Sequence, residues 1–366
     1  MQIHRPEIKG TRHMASSGHY LASEAAFAIL EAGGNAIDAG VAAGLCLGVL
    51  QSDLVSVGGV APIILYLAEA REVVTISGLG WWPKAASAEY FRLEHNGKIP
   101  NGLKRTVIPA APDAWLTALE RYGSMSFAEV AASAIRFAGE GFAMYPLMNH
   151  IIQSHIDVYQ KFPATAELFL PNGKPPVVGE LFFQRELAAT LRYMVDEERA
   201  HGRAGRKAGL QAARDAFYKG DIARTITDYH AQHGGWLTMA DMAEFRVGIE
   251  PPVKTRFGDV EVYACGPWCQ WPALLQVLNV VGGMNVSDMQ HNGADYIHGL
   301  TEAVKLVMAD RDAYLGDPRF VDVPMEALLS AGYADQRRAE IRMDRAFPEM
   351  PAAIAAQALG LSAGRR

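Results

Sequence analysis

The sequence has 366 residues, of which 50% are hydrophobic and 20% are charged, and its formal net charge is -6. This composition is typical of a globular protein that buries a large core. The mild acidic balance and the scatter of the basic residues exclude a nucleic-acid partner, and the lack of an apolar run of about eighteen residues excludes a membrane-spanning segment.

Residues 18–59 contain the clearest helical pattern in the chain. Apolar residues recur every three or four positions over 21–32, which predicts an amphipathic helix that ends at Gly33. Asn35 is a suitable N-cap for a second helix that runs to about Leu50, and we expect this helix to lie in the core because it is apolar almost all the way round. Its one charged residue, Asp38, sits in the first turn, where a carboxylate faces the positive end of the helix dipole.

Two short strands follow the second helix. The apolar run 63–67 has the length of a buried strand, and the β-branched run 73–76 is predicted to pair with it. Gly58 and Gly59 precede the first strand, and they fit either a tight turn or a close approach of another backbone segment. The second strand leads into the sequence Gly-Leu-Gly-Trp-Trp-Pro at positions 78–83.

The remaining regular elements are mostly helices. The polar side of the last long helix is expected to include Glu302, Lys305, Asp310 and Arg311. A β-hairpin with a turn at Gly258 and Asp259 is also predicted. The other predicted helices cover residues 87–96, 113–122, 127–140, 186–198, 239–245 and 292–312, and Thr238 is the predicted cap of the fifth of these.

Three stretches are predicted to be irregular. Prolines interrupt the run 162–178, so we expect residues 144–185 to form a loop-rich excursion. Residues 105–109 fit a strand or an extended segment. The Ala-rich end of the chain predicts a poorly anchored tail over residues 347–366.

The order of the sequence blocks resembles the large subunit of the gamma-glutamyltranspeptidase family of N-terminal nucleophile hydrolases. The resemblance extends over roughly 300 residues, so it is far more specific than a short motif. It implies an α/β fold, the four-layer αββα sandwich of these hydrolases, in which residues 1–366 form one structural unit intertwined with a small subunit that completes the sandwich. The blocks that carry it are Leu-Ala-Ser-Glu-Ala at 21–25, Gly-Gly-Asn-Ala-Ile-Asp-Ala at 33–39, Val-Gly-Gly at 57–59, Ala-Pro-Asp-Ala-Trp at 111–115, Glu-Arg-Tyr-Gly at 120–123, Ala-Ile-Arg-Phe-Ala at 134–138, Glu-Gly-Phe at 140–142, Ala-Phe-Tyr-Lys-Gly at 216–220, Gly-Gly-Trp-Leu-Thr at 234–238 and Ala-Asp-Arg-Asp-Ala-Tyr-Leu-Gly-Asp-Pro at 309–318.

The resemblance also implies a chemistry. Family members are made as one precursor that cuts itself before a threonine, and this N-terminal threonine is then the nucleophile, with its own amine as the base. The implied partner is therefore a small (beta) subunit from the same precursor, the implied substrate is a small-molecule amide, and no catalytic residue is expected in this chain. No cofactor or metal is implied, and both a dimer of heterodimers and the choice between hydrolysis and acyl transfer stay open.

One position departs from the family. In gamma-glutamyl enzymes the loop after the second strand holds an arginine, four residues before the proline, that grips the α-carboxylate of the glutamyl donor. Counting back from Pro83 gives Leu79, which cannot make a charge-assisted bond to a carboxylate. We therefore expect an amide other than a gamma-glutamyl peptide, either a small oxamate-like amide or a bulkier acylated amine such as a β-lactam side chain. The candidate substrate-binding residues are Leu79, Gly80, Trp81 and Trp82.

These two tryptophans have a second interpretation. One of them could pack in the core while the other covers a subunit contact. The loop 265–272 presents the same choice, because Trp268 and Trp271 stand where the family has small residues, and they fit either a narrower cavity or packing against the partner.

The three cysteines indicate a reducing compartment. With no apolar core in residues 1–6 to suggest a secretory signal, they favour a cytoplasmic protein, although a leader already removed from the chain would reverse this. Cys265 and Cys269 lack a His or a second Cys pair nearby, so their spacing is weak support for a zinc site. Cys269 as a nucleophile with His298 would need a base within hydrogen-bond distance, which spacing cannot show.

The sequence therefore predicts the large subunit of a self-processed heterodimeric amidohydrolase. Two alternatives are a true gamma-glutamyl hydrolase or transferase and a non-catalytic binding or scaffold protein with the same fold.

Overall fold

The computed structural model describes residues 7–355 and has the predicted mixed α/β composition. The strands are β1 (Ile63–Leu67), β2 (Glu72–Ile76), β3 (Phe142–Ala143), β4 (Leu181–Phe182), β5 (Ile249–Glu250), β6 (Val253–Phe257) and β7 (Val260–Ala264). The helices are α1 (Tyr20–Glu31), α2 (Ala36–Leu50), α3 (Ala88–His95), α4 (Ala111–Tyr122), α5 (Phe127–Glu140), α6 (Pro146–Ser154), α7 (Ile156–Tyr159), α8 (Pro163–Phe169), α9 (Arg185–His201), α10 (Arg206–Tyr218), α11 (Asp221–Gln232), α12 (Met239–Glu244), α13 (Trp271–Val281), α14 (Ala294–Tyr314), α15 (Met325–Leu328) and α16 (Ala331–Ala339).

The described residues divide into two compact units. One comprises residues 7–61 and 78–247, and the other comprises residues 62–77 and 248–355. The expectation of one structural unit intertwined with a small subunit concerns the complete heterodimer and stays a prediction. Among residues 7–355, no helix is both long and apolar enough to cross a bilayer.

The first unit is a helical assembly around α2. This helix packs against α1, α4 and α5, and α5 in turn packs against α9, which lies along α10. Close approach of α2 and α4 depends on Gly44, because a Cβ added there would lie 2.7 Å from the indole nitrogen of Trp115. Nine residues of α2 are buried, which confirms the prediction of a core helix.

Asp38 fastens the start of α2 to the loop between α4 and α5. Asn35 and Asp38 form a capping box, in which each side chain accepts a hydrogen bond from the other residue's backbone N–H. The Asp38 carboxylate also accepts bonds from the Ser124 N–H at 2.9 Å, the Ser124 hydroxyl at 2.7 Å and the Met125 N–H at 3.1 Å. Burial opposes ionisation of this fully buried group, but these hydrogen bonds outweigh burial and hold the pKa of Asp38 below its ordinary value.

We expect Asp38→Asn to lower the free energy of unfolding by about 2–3 kcal/mol, because an amide loses the charge-assisted bonds and turns an NH2 group toward backbone donors. Since the folded pKa lies below the unfolded one, the carboxylate stabilises the protein fully at neutral pH and loses this effect as the pH falls through the folded pKa. Thermal unfolding should therefore show the deficit of the variant narrowing below the unfolded value of about 3.9. The exposed Asp228→Asn is the control, and a deficit that does not change with pH would contradict the assignment.

The second unit combines a small sheet with a helical core. Strand β2 pairs antiparallel with both β1 and β5, giving the order β1-β2-β5, and β6 and β7 form a separate antiparallel hairpin. Gly258 has a φ of +58°, which the two-residue hairpin turn requires at its first position. Helices α13, α14 and α16 pack together through a cluster of buried apolar residues, namely Ala273, Val280, Val281, Ala303, Val307 and Ala334.

The predicted polar face of α14 is wrong at two positions. Glu302 is 1% exposed and Asp310 is 0% exposed. Asp310 pairs with the buried Arg337, which donates from Nε at 3.1 Å and lies 3.0 Å away through Nη2, and it also accepts a bond from Gln276. Burial nevertheless raises the pKa of the Asp310 carboxyl above its ordinary value. Helical spacing alone predicts that Asp310 is exposed to solvent. Its burial becomes evident only from its partner Arg337, which lies 27 positions away on α16.

Most of the other local predictions are confirmed. Both strand pairs form as predicted, and Thr238 and Asp241 form the predicted capping box at α12. Of the two alternatives for residues 105–109, the strand does not form, since a 3-10 turn covers Leu103–Arg105 and no strand follows it, whereas Thr106 has extended backbone angles. The helices α10 and α11 lie in stretches with no helix prediction.

The other two stretches predicted to be irregular contain regular elements or have defined contacts. Residues 144–185 contain the short helices α6, α7 and α8 and, at Leu181–Phe182, the strand β4. In the tail, residues 356–366 lie outside the described residues, whereas the Phe347 N–H donates to Glu302 at 2.7 Å and Arg337 donates to the Ala352 carbonyl at 3.2 Å. Side chains of α14 and α16 therefore hold the described part of this segment.

Candidate functional site

Three irregular backbone segments of the first unit, residues 58–61, 78–82 and 107–110, are joined by hydrogen bonds around the predicted substrate-binding residues. The Ala61 N–H donates to the Gly78 carbonyl at 2.8 Å, and the Ile108 N–H donates to the Trp81 carbonyl at 2.8 Å. The Gly59 carbonyl accepts from the N–H groups of Ala110 and Ala111, at 2.8 and 3.0 Å. The segment 78–82 is therefore held by hydrogen bonds at both ends, and the turn at Gly58 and Gly59 anchors the start of α4.

Gly80 lies where two of these segments touch. A Cβ added at this position would overlap the Ile108 carbonyl oxygen and lie 2.8 Å from Val107 Cγ2. A backbone carbonyl cannot move aside as the end of a flexible side chain can. The glycine is therefore required by the close approach of residues 107–108 to the segment that carries Leu79 and Trp81.

We expect Gly80→Ala to destabilise the protein by about 1–3 kcal/mol, because the added methyl group must displace backbone. The matched control is Gly40→Ala in α2, where an added Cβ would meet no atom within 4 Å, so this change should stabilise the helix by up to about 1 kcal/mol. Thermal unfolding of the two variants measures both effects. Equal shifts in Tm for the two variants would contradict the close approach.

A buried ion pair holds the backbone next to the candidate site. Asp113 on α4 is fully buried and pairs with Arg214 on α10, and its second oxygen accepts from the Val247 N–H at 2.7 Å. The Tyr218 hydroxyl donates to the Pro109 carbonyl at 2.6 Å and accepts from the Asp113 N–H at 3.1 Å. This network fixes residues 109–113, which continue directly from the segment that holds Trp81.

The network also reaches the side chain of Trp81. Arg214 Nη2 donates to the Phe245 carbonyl at 2.5 Å, and the Phe245 ring stacks on Tyr218 at a centroid distance of 5.9 Å. Trp81 meets the edge of Phe245 at 5.1 Å. The half-buried indole of Trp81 is thus held against a fully buried ring, whose position depends on the ion pair.

Trp82 lies in a different aromatic cluster. Its ring is 43% exposed and meets the edge of Phe91, which also contacts Trp236 at 5.6 Å. The Lys104 ammonium lies 4.1 Å from the centre of the Tyr90 ring in the same cluster. The two adjacent tryptophans therefore have unlike surroundings, one packed on the buried network and one partly in solvent, while Leu79 is half-buried between Gly78 and Gly80.

The second tryptophan-containing loop lies in the other unit. Trp268 donates its indole N–H to Glu250 at 2.6 Å, and Trp271 is 52% exposed at the first position of α13. The Cys269 thiol donates to the Gly266 carbonyl at 3.3 Å, whereas the imidazole of His298 contacts the Arg342 carbonyl at 2.8 Å. The contacts of these side chains do not support a Cys269–His298 nucleophile pair. Within residues 7–355, no three His, Cys, Asp or Glu side chains are grouped so as to hold a metal ion.

The sequence indicated the segment 79–82 as the substrate-binding segment, which stays a prediction, and the buried Asp113–Arg214 pair was missed. Asp113 belongs to the motif Ala-Pro-Asp-Ala-Trp at 111–115. It is the one acidic residue among apolar residues at the start of a helix, and this pattern was the available signal of its burial. Arg214 lies 101 positions away in an unpredicted helix, so no local pattern connects it to Asp113.

Comparison with known proteins gives a consistent result. The sequence model described as gamma-glutamyltranspeptidase matches residues 22–362. The chain is 33% identical over 336 residues to the glutathione hydrolase-like YwrD proenzyme of Bacillus subtilis (strain 168), covering 91% of this chain and 61% of that protein. It is also 33% identical over 348 residues to the acylase ACY 1 proenzyme of Pseudomonas sp. (strain SE83), covering 92% of this chain and 60% of that protein.

A solved structure has the same fold. The gamma-glutamyltranspeptidase of Helicobacter pylori superposes with a TM-score of 0.85 at 26% sequence identity, covering 94% of this chain and 95% of that one. The predicted α/β fold is thereby confirmed. The chain spans about three-fifths of the length of the two curated relatives, 61% and 60%.

Proposed function

Since this chain belongs to the gamma-glutamyltranspeptidase family, we propose that it is the large subunit of a self-processed heterodimeric amidohydrolase. The nucleophile is an N-terminal threonine on a small subunit from the same precursor, which attacks the carbonyl of an acyl amide to form an acyl-enzyme. Water or an acceptor amine then releases the acyl group. This chain contributes Leu79, Gly80, Trp81 and Trp82 to the substrate pocket and no catalytic residue.

The proposed substrate class rests on one observation, the leucine at position 79. The two relatives at 33% identity are a glutathione hydrolase-like protein and an acylase, so overall similarity does not separate the two substrate classes. A leucine at the position of the carboxylate-gripping arginine leaves an α-carboxylate without its charged partner, which costs roughly 1–3 kcal/mol or more in a desolvated pocket. Backbone hydrogen bonds of Gly78 and Trp81 hold the chain on both sides of Leu79. This supports a pocket in which an apolar side chain takes the place of the guanidinium of the family's arginine.

Exposed apolar residues support a partner subunit. Strand β1 exposes Ile64 at 42% and Tyr66 at 61%, and α13 exposes Trp271 at 52% and Leu274 at 45%. Large apolar side chains on a strand and a helix of the same unit are typical of surfaces that another chain covers. This supports a heterodimer in which the small subunit packs against the second unit.

Two measurements on the full precursor test the proposal. Intact-mass analysis should give two fragments, the second beginning at threonine, and replacement of that threonine by alanine should leave one uncut product. The processed protein should then hydrolyse an oxamate-type or aryl-acyl amide with a kcat/KM at least about tenfold above that for a gamma-glutamyl anilide. A preference for the gamma-glutamyl anilide would favour a true gamma-glutamyl hydrolase or transferase.

A non-catalytic scaffold is the second candidate. It is favoured by the fact that residues 79–82 are held by structural contacts that need no substrate, including the Trp81–Phe245 contact at 5.1 Å. A single uncut wild-type product that hydrolyses no amide in the panel would support it.

The cellular location is part of the proposal. The three cysteines, Cys46, Cys265 and Cys269, are free thiols, which supports a reducing, cytoplasmic location. Fractionation of cells that express the natural protein tests this, and recovery from the medium or periplasm would contradict it.

A further inference from the structure

A lysine lies among aromatic side chains next to the candidate segment 79–82. The Lys104 ammonium donates to the Tyr90 hydroxyl at 2.5 Å and lies 5.4 Å from the centre of the Trp236 ring. Tyr90 and Trp236 meet edge to face at a centroid distance of 5.0 Å, and the Phe91 ring contacts both of them. Trp82 meets Phe91 at 5.9 Å. These five residues of the first unit, Trp82, Tyr90, Phe91, Lys104 and Trp236, form what we call the aromatic–lysine cluster.

Lys104 has no acidic partner in the described part of the chain. It is half-buried, yet no carboxylate of residues 7–355 lies within 4.0 Å of its ammonium group. Lys305, which is also half-buried, differs in this respect, because it lies 2.6 Å from Glu302. An ammonium group has three N–H donors, and the Tyr90 hydroxyl accepts from one of them. A partly desolvated cation with two further donors favours an anionic ligand such as a carboxylate.

The rings of the cluster offer an apolar surface beside this cation. Phe91 is 6% exposed and contacts both Trp82 and Trp236, so it connects the two indole rings. Trp82 is 43% exposed and Trp236 is half-buried, which leaves part of each indole open to a ligand. Aromatic rings pack favourably against such surfaces. The cluster therefore combines the two features that bind an aromatic carboxylate, an apolar ring surface and a cation without an acidic partner.

We propose that the aromatic–lysine cluster binds the far end of the substrate's acyl group, and that this group contains an aromatic ring bearing a carboxylate. This inference rests on the proposed amidohydrolase function and narrows its substrate class. Positions 79 and 82 are at most about 11 Å apart along an extended chain, so Leu79 and Trp82 can contact successive parts of one acyl group. The site of carboxylate recognition is then Lys104 instead of the arginine that the family has at position 79.

Binding of two matched acids to the full protein tests the site without any hydrolysis. The probes are 4-carboxyphenylacetate and 4-methylphenylacetate, which have similar shapes and differ in the charge of the group on the ring. Isothermal titration calorimetry should give a Kd at least about fivefold lower for the carboxylate probe, because Lys104 pairs with its ring carboxylate. Equal Kd values, or tighter binding of the methyl probe, would overturn the proposal.

Variants of the cluster assign this preference to its residues. Lys104→Met removes the charge and keeps most of the apolar stem, so the two probes should bind equally, whereas Lys104→Arg should retain the preference. Trp82→Ala should weaken both probes by at least about threefold, because it removes part of the ring surface. Lys98→Met is the control, since Lys98 is exposed and lies outside the cluster, and it should leave both Kd values unchanged. A preference that persists in Lys104→Met would overturn the proposal. If that variant does not fold, Trp82→Ala and the unmodified protein still decide.

Hydrolysis separates this proposal from the function on which it rests. The anilides of the same two acids, acylated through the acetate carboxyl, should differ at least about fivefold in kcat/KM, and Lys104→Met should abolish the difference. Hydrolysis of both anilides at equal kcat/KM would overturn the carboxylate site and leave the amidohydrolase proposal standing. Binding of the carboxylate probe through Lys104 without hydrolysis of either anilide would overturn the amidohydrolase proposal and leave the carboxylate site standing.

Discussion

Replacing Leu79 by arginine is expected to raise kcat/KM for a gamma-glutamyl anilide by roughly 10- to 100-fold in the processed heterodimer. A hydrogen bond to a charged group contributes about 1.5–3 kcal/mol, and this range corresponds to that increase in rate. The guanidinium can bind the α-carboxylate with two parallel bonds, which leucine cannot do. The gain depends on the correct placement of the side chain, and the backbone hydrogen bonds of Gly78 and Trp81 hold the chain on both sides of position 79.

The controls for this prediction replace the same residue, Leu79, by side chains of different chemistry. Leu79→Met preserves the apolar character and should leave the substrate preference within about a factor of three, because volume-conserving apolar changes are well tolerated. Leu79→Lys supplies charge without the planar fork and should give a smaller gain than arginine. Unchanged gamma-glutamyl turnover in a Leu79→Arg variant that is folded and still processed would contradict the assignment of this segment to the pocket. If none of the three Leu79 variants is processed into two chains, residue 79 would instead be needed for assembly of the two subunits.

Replacing Arg214 by methionine is expected to lower the free energy of unfolding of the first unit by about 3–5 kcal/mol. The change leaves the Asp113 carboxylate buried without its charged partner and removes the donor to the Phe245 carbonyl. Methionine keeps much of the volume, so the loss reports the charge and the hydrogen bonds rather than a cavity. For a unit of this size, Tm should fall by roughly 6–20 °C.

An exposed ion pair supplies the control for Arg214. Arg224 lies 2.9 Å from Asp221, and the two side chains are 62% and 71% exposed. Arg224→Met should therefore cost no more than about 1 kcal/mol. Combining Arg214→Met with Asp113→Asn should cost clearly less than the sum of the two single changes, because the double variant leaves no unpaired buried charge. Additive losses, or equal losses at Arg214 and Arg224, would contradict the role of the buried pair.

Local sequence patterns determined much of the secondary structure. The capping residues Asn35 and Thr238 begin helices where predicted, and the Gly258-Asp259 turn closes the predicted hairpin. These features depend on interactions between residues a few positions apart, so spacing and residue type suffice to recognise them. The order of the motifs along the chain likewise indicated the family, and the candidate segment 79–82, which follows from this resemblance, stays a prediction.

Only the tertiary structure decided which charges are buried and what holds the candidate site. Asp310 and Glu302 have the spacing of a solvated helix face, yet they pack against residues of α16 and of the segment 347–355. Asp113 and Arg214 are 101 positions apart, and Gly80 meets Ile108 through a close contact between backbones that no periodicity encodes. Burial and pairing over such distances depend on how whole elements pack, whereas the sequence by itself determined the capped helices, the strand pairs and the family, and the role of Leu79 stays a prediction.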